Sequence, residues 1–438
     1  MRHTLISLSA LIAAASLVTL ANATMTTVMP LRLLEDGASD AMIALFGASY
    51  FAGFMAGCFS EPPKILRIGY IRAFAASAAI CTTLAIVMDM TGTPAVWLVL
   101  RFFTGVAVAA IFASVDGWIN DATPDASRGS VYSAYGWCIG AAAVASQLVL
   151  VVWDGLAPGF ITIVALAFNA AVVCVALTRA DAPSTRPEAA PETVPQTHLK
   201  SGAGALAVTS WTAIVAAIYT GLVVTAILAT LPAILSQAGA SEAVIGVVIA
   251  SYFIGRLVFQ LPLGVLADRM DLRLLIAVVA AVTGGVAVVG WFLIVVDVAQ
   301  IAAEATLVNR IAFLGVAALL GGVTLPVYTL AVSLAFARAD GHPPVKIATT
   351  LLLVNSAGAV AGPIIVAVLL PAFGWTALVW VIVSTSVLMT LFALVRRAAS
   401  GAHGPSATPM AEIPATSVAL TESISEVRAE AAATAVDA

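Results

Sequence analysis

Apolar runs of roughly bilayer-crossing length, parted by short polar stretches, follow one another from residue 5 to residue 395. A helix of about 20 apolar residues crosses about 30 Å of hydrocarbon. By that measure the pattern predicts twelve membrane helices, at 5–30, 40–60, 70–90, 95–118, 130–152, 158–178, 205–232, 243–266, 273–296, 308–335, 347–370 and 374–395. Two stretches fall outside it. Residues 179–204 are rich in Pro, Ala, Ser and charge, as a linker is, and residues 397–438 are Ala-, Thr- and Ser-rich with scattered acids, as a disordered tail is. The chain thus divides into a six-helix bundle at 1–178, a cytoplasmic linker at 179–204, a second six-helix bundle at 205–396 and a cytoplasmic tail at 397–438.

The bundles are copies. Shifted by 202 positions, Pro30–Gly53 becomes Pro232–Gly255, and 12 of the 24 aligned residues are identical without a gap. Six spans return the chain to its starting side, so both copies run the same way. Duplicated membrane bundles hold a solute site between their halves. The expected fold is all-α, with twelve transmembrane helices in two pseudo-symmetric six-helix bundles. Met1-Arg2-His3, the apolar run and Ala21-Asn22-Ala23 look like a cleavable signal. The run continues to Leu34, however, and the repeat requires this helix, so an uncleaved first span is expected.

Charge sets the orientation. Of the 19 Lys and Arg residues, 15 fall in the N-terminus, the even-numbered loops, the linker and the tail; the others are Arg32, Arg101, Arg256 and Arg310. By the positive-inside rule both termini are cytoplasmic. Hydrophobic residues form 61% of the chain and charged ones 10%, more apolar surface than a soluble protein can hide, so lipid must cover some of it. A net charge of −4 and the lack of basic clusters with interleaved aromatics argue against a nucleic-acid partner. Cys58, Cys81, Cys138 and Cys174 sit in apolar runs at no metal spacing, and His3, His198, His342 and His403 sit in loops or tails. No metal or cofactor is expected. Gly-x-Ser-x-Gly and phosphate-binding glycine loops are absent, so neither an enzyme nor an ATP-driven pump is expected.

Several motifs then carry a resemblance. Between the second and third spans of the second half stands Gly264-Val-Leu-Ala-Asp268-Arg269-Met-Asp271-Leu-Arg273, preceded by Gln260-Leu-Pro262. The first half keeps Gly57, Lys64, Arg67, Gly69 and Arg72 at the same place, without the Asp. The fourth span opens Arg101-Phe-Phe-Thr-Gly105 and closes Asp116-Gly-Trp118-Ile-Asn120, followed by Arg128-Gly129 and Tyr135; Gln147 also fits. The chain resembles the major facilitator superfamily, whose loop pattern is Gly-x-x-x-Asp-Arg-x-Gly-Arg, and within it the YcaD-like bacterial branch. Asp271 stands where the pattern has Gly. The resemblance implies the major facilitator fold, the bacterial cytoplasmic membrane, and a cytoplasmic latch made by loop arginines and an acid. Here that latch would be Asp116 with Arg67, Arg72 and Arg128, and Asp268 with Arg269 and Arg273 in the second half. A solvated helix-end acid and a proton-binding group are the other readings of Asp116.

A mid-membrane charge costs about 2.5–3.5 kcal/mol on insertion scales, so each calls for a partner. Arg101, a turn and a half into the fourth span, reads either as a cavity cation for a carboxylate or phosphate or as a snorkelling interface residue. Arg256 lies deeper, about 21 Å along the eighth span at about 1.5 Å per residue. It reads as an anion contact, or as a structural ion pair or carbonyl cap. The first and seventh spans carry no acid, and Asn22 and Tyr219 are among their polar residues. Gln147, Tyr328 and Asn355 could line the same cavity or bond helix to helix. Deep arginines rather than deep acids tilt the substrate toward small anionic or zwitterionic solutes. The expected function is an alternating-access secondary transporter of a small organic solute, acting as a monomer in the lipid bilayer and coupled to protons. Alternatives are a multidrug or metabolite efflux antiporter and a transporter-like sensor or scaffold.

Overall fold

The computed structural model describes residues 2–123, 128–177, 211–301, 307–337 and 344–400. The first half comprises α1 (Arg2–Glu35), α2 (Asp40–Ser60), the short α3 (Pro62–Ile68), α4 (Tyr70–Met90), α5 (Pro94–Ala122), α6 (Arg128–Val152) and α7 (Phe160–Ala176). The second comprises α8 (Trp211–Gln237), α9 (Glu242–Arg269), α10 (Leu272–Ile301), α11 (Leu307–Thr324), α12 (Val327–Phe336), α13 (Pro344–Phe373) and α14 (Thr376–Ser400). Among the described residues eleven helices are long and apolar enough to cross a membrane. Phe160–Ala176 is apolar but shorter, at the lower limit for a span. The linker and the tail lie outside the described residues, except that α14 runs to Ser400, past the expected boundary at 396.

The tenth span departs from expectation. A continuous helix over 308–335 was expected, yet the chain breaks between Thr324 and Val327 into α11 and α12. Pro326 is the cause: it lacks the N–H that would bond one turn back, and its ring crowds the carbonyl of the preceding turn.

The repeated sequence repeats a physical device. Gly37 and Gly239 take positive φ angles of 73° and 89°. The next amides turn back, Ala38 N to Leu33 O at 2.8 Å and Ala240 N to Leu235 O at 2.9 Å. Ser39 and Ser241 then cap the following helices, accepting from Met42 N at 3.3 Å and Val244 N at 3.4 Å. Glycine ends one helix because it alone enters the left-handed region without strain, and serine starts the next. That turn is the common core of the two Gly-Ala-Ser segments.

Packing repeats as well. The pairs α2–α5, α4–α7, α1–α6 and α1–α7 of the first half correspond to α9–α11, α10–α14, α8–α13 and α8–α14 of the second. A Cβ at Gly53 would strike the Phe102 carbonyl oxygen, and one at Gly255 the Ala318 carbonyl oxygen. The two crossings are backbone on backbone. Between the halves α2 lies on α13 and α6 on α9, with α1 against α8. The end of the bundles bearing the 36–39, 153–159 and 238–241 turns is called outer here, after the charge bias. There Leu31 of the first half joins Leu235, Ile245, Val248, Ile249, Phe313 and Ala317 of the second in one buried cluster, with Leu156 packed against it.

Candidate functional site

Arg101 sits on α5 with 1% of its surface exposed. Its Nη1 donates to Asn22 Oδ1 at 3.2 Å and its Nη2 to Thr26 Oγ1 at 2.6 Å, both on α1. The guanidinium lies 4.4 Å from the Tyr50 ring centroid and 5.3 Å from that of Phe46, both on α2. Asn22 Nδ2 in turn donates to the Tyr50 hydroxyl at 3.0 Å. The cation is thus held by two neutral acceptors and two aromatic faces, a cage that joins three helices. It neither snorkels nor opens to a cavity.

Arg256 is placed differently. Residues on a helix succeed one another at about 100°. Ile254, Val258, Leu261 and Val265 are exposed and mark the lipid flank of α9. Arg256 points nearly opposite, between the line through Gly255 that meets α11 and the line through Gly246 and Leu257 that meets α6 of the other half. It lies midway along the 28-residue helix Glu242–Arg269. The side chain is half-buried, and among the described residues no hydrogen bond or ion pair reaches it. Tyr252, one turn earlier, is the polar group beside it. A guanidinium at the seam, at mid-helix depth and unpaired among the described residues, can donate to a carboxylate or phosphate.

The other cavity candidates are mostly engaged within their own half. Gln147 Oε1 accepts from Thr27 at 2.8 Å, and its Nε2 donates to Ser146 Oγ at 2.9 Å. Tyr219 and Ser386 hydroxyls meet at 2.9 Å. Asn355 Nδ2 donates to Ala217 O at 2.8 Å. The Tyr328 hydroxyl is buried without a hydrogen-bond partner. Asn22 belongs to the Arg101 cage. These residues therefore do not converge on Arg256.

Among the described residues, the expected pairs of Asp116 with Arg67 or Arg72, and of Asp268 with Arg269 or Arg273, are not formed. Asp116 is buried, with neither carboxylate oxygen in a well-formed hydrogen bond. The Tyr135 hydroxyl faces it, and the Tyr132 hydroxyl donates to the Asp116 backbone carbonyl at 3.1 Å. Arg67 and Arg72 are exposed and do not reach it, because α5 buries this acid against aromatic neighbours instead of the loop. The Arg128 side chain lies outside the described residues. In the second half Asp268 and Arg269 are both exposed, and the acid that organises the cluster is Asp271. Its Oδ1 accepts the amides of Arg273 at 2.8 Å and Leu274 at 3.3 Å, capping α10, and Arg397 Nε stands 3.7 Å from its Oδ2. Buried Arg273 donates to the Arg396 carbonyl at 3.0 Å, closing the end of α14. The Asp in the Gly position of the loop pattern is thus a helix cap.

Sequence reasoning missed the partners of Arg101, namely Thr26, Phe46 and Tyr50, and the outer residues Arg32 and Glu242. Of these only Tyr50 carried a signal, being repeated as Tyr252.

Two parallel copies of a six-span unit that meet along one seam are the architecture of a membrane transporter. The sequence profile described as Major Facilitator Superfamily matches residues 11–237 and again 213–433. The chain belongs to that superfamily, and within it to the YcaD-like branch. It is 26% identical to the MFS-type transporter YcaD of Escherichia coli (strain K12 / DH10B), over 86% of this chain and 92% of that one. It is 25% identical to an MFS-type transporter of Enterobacter sp. (strain 638), over 90% of this chain and 95% of the relative. Among solved structures it is similar to the nucleoside transporter NupG, with a TM-score of 0.66 at 13% identity, over 90% of this chain and 98% of that one. It is also similar to a bacterial homologue of the human lysosomal transporter Spinster, in an inward-facing and unoccupied conformation. That match has a TM-score of 0.58 at 14% identity, over 97% and 98% of the two chains. The protein is a multi-pass membrane transporter.

Proposed function

We propose that this transporter moves a small anionic or zwitterionic organic solute across the bacterial cytoplasmic membrane by alternating access, coupled to protons. Arg256 carries the reading: a guanidinium on the inner flank of α9, midway along the helix and without a partner, is a charge left for a ligand to neutralise. The protein works as a single chain with both termini in the cytoplasm, in keeping with its charge bias. Asp116, buried and without an ion pair among the described residues, meets Arg67 or Arg72 when the cytoplasmic end closes, and the same movement opens the outer end. Arg101 serves the first half as an internal tie and does not touch the solute.

Counterflow in proteoliposomes tests this. Purified protein is first screened by thermal shift against small carboxylates, phosphates, zwitterions and organic cations. A stabilising anion or zwitterion should then exchange across the membrane, with the exchange weakened in Arg256→Ala. Stabilisation by cations alone would overturn the substrate class, and saturable binding without exchange would overturn the carrier.

A further inference from the structure

Among the described residues, the hydrogen bonds that tie the two halves together lie at the outer end, and one of them has the form of a lock. Glu242 opens α9 in the second half, and its Oε2 accepts the Gly155 amide of the first half at 2.6 Å. Gly155 lies in the turn joining α6 to α7, and Arg32 of α1 braces that turn from behind. Arg32 Nη2 donates to the carbonyls of Ala157 at 3.0 Å and Gly155 at 3.4 Å, while its Nη1 pairs with Asp89 of α4 at 2.8 Å. Asp89 is held in turn by Thr162 of α7 at 2.9 Å. The turn's own acid, Asp154, accepts the Leu156 amide at 2.9 Å, so it shapes the loop beside Glu242. A chain of charge therefore runs from Asp89 through Arg32 and the peptide groups of the turn to Glu242, and its last link crosses the seam.

Two further observations make this link selective for the closed arrangement. A Cβ at Gly155 would lie 2.9 Å from Glu242 Oε2 and 2.7 Å from a Leu150 methyl, so an added methyl group must displace the ends of both side chains, the carboxylate among them. Directly inward sits the apolar cluster of Leu31, Leu156, Leu235 and Ile245, which excludes water from below the clasp. A second cross-seam bond, Gln237 Nε2 to Asp40 Oδ1 at 3.3 Å, is exposed and longer. Bonds with a charged acceptor in a sheltered place are the stronger kind.

We infer that Glu242, bonded to the Gly155 amide and backed by Arg32 and Asp89, is the latch that holds the outer end of the seam shut. Opening outward breaks this charge-assisted bond and hydrates both groups, while the Arg32–Asp89 brace stays within the first half and keeps the turn ready to close. The inference deepens the carrier reading and rests on it only for what closure accomplishes.

The equilibrium is read without transport, by double electron–electron resonance on the full chain. Spin labels go at Thr93→Cys in the first half and Phe373→Cys in the second, with the four native cysteines replaced. Glu242→Ala should lower the outer-closed population about tenfold relative to the open one, and Glu242→Gln should fall between it and the unaltered protein. Gly155→Ala should open the same end from the other side of the contact, which guards against a folding defect peculiar to one variant. Unchanged distance distributions in Glu242→Ala and Gly155→Ala, both monodisperse, overturn the latch. Longer outer distances in a protein that shows no counterflow would uphold the latch and remove the carrier reading.

Discussion

Arg101 and Arg256 occupy exchanged helices in the two halves. Gly53 crosses the Phe102 carbonyl as Gly255 crosses the Ala318 carbonyl, so Arg101 on α5 corresponds to Ala317 on α11. The 202-residue shift places Phe54 where the second half has Arg256. The same shift turns Asn22, Thr26 and Phe46 into Val224, Leu228 and Val248, and leaves Tyr50 as Tyr252. One half keeps an arginine with every group that shields it. The other lacks that arginine and three of the four groups that shield it, and carries one without an ion pair among the described residues on a helix that faces the seam.

Removing the charge tests that asymmetry. Arg256→Phe gives the second half the residue that the first half carries at the equivalent position, Phe54. The prediction is a folded protein that no longer responds to anionic ligands, read as loss of the ligand-induced thermal shift. A response equal to that of the unaltered chain would mean that Arg256 does not hold the anion.

Arg101→Ala should destabilise the first half. It removes two hydrogen bonds and the stacking on Tyr50 and Phe46, and leaves Asn22 and Thr26 underused in a buried place. The loss is expected at about 1–3 kcal/mol, seen as a lower melting temperature in detergent. Apparent affinity at the seam should be little changed in protein that remains folded. A large affinity change at constant stability would place Arg101 against the solute.

The glycine crossings predict a contrast within one residue type. Gly53→Ala and Gly255→Ala force a methyl group into a carbonyl oxygen and should cost about 1–3 kcal/mol each. Gly285 and Gly315, where a Cβ meets nothing within 4 Å, should accept alanine with a gain of about 0.5–1 kcal/mol. Melting curves of the four variants decide it, and equal effects would refute the close approach.

Asp116→Asn should fold normally and transport poorly, because the neutral amide cannot form the cytoplasmic ion pair that closure requires. Counterflow near the unaltered rate would remove Asp116 from the gating cycle. Asp271→Ala should act on stability instead, at about 0.5–2 kcal/mol, through the lost cap of α10.

What the sequence disclosed follows the range of the forces involved. The Gly-Ala-Ser turns were legible because a left-handed glycine and a serine cap act within a few residues of each other. The depth of Arg256 was legible because helix rise is constant. The contact of Asp271 with Arg397 was not legible because proximity in sequence does not decide whether Asp268 or Asp271 meets an arginine; that depends on where α14 ends. The cage of Arg101 draws on α1 and α2, far from α5 in the chain, and only packing brings them together. Pro326 did stand in plain view as a helix breaker, and the unbroken hydrophobicity around it concealed the interruption.

At Gly53 and Gly105 the second and fourth spans touch main chain to main chain. Nothing soft lies between them: no rotamer can yield when one is pushed. A displacement of either therefore carries the other along, and the pair behaves as a single stiff plank. Its twin, formed at Gly255 and Gly321, does the same across the interface. Each half thus holds a two-helix beam whose stiffness comes from the absence of side chains.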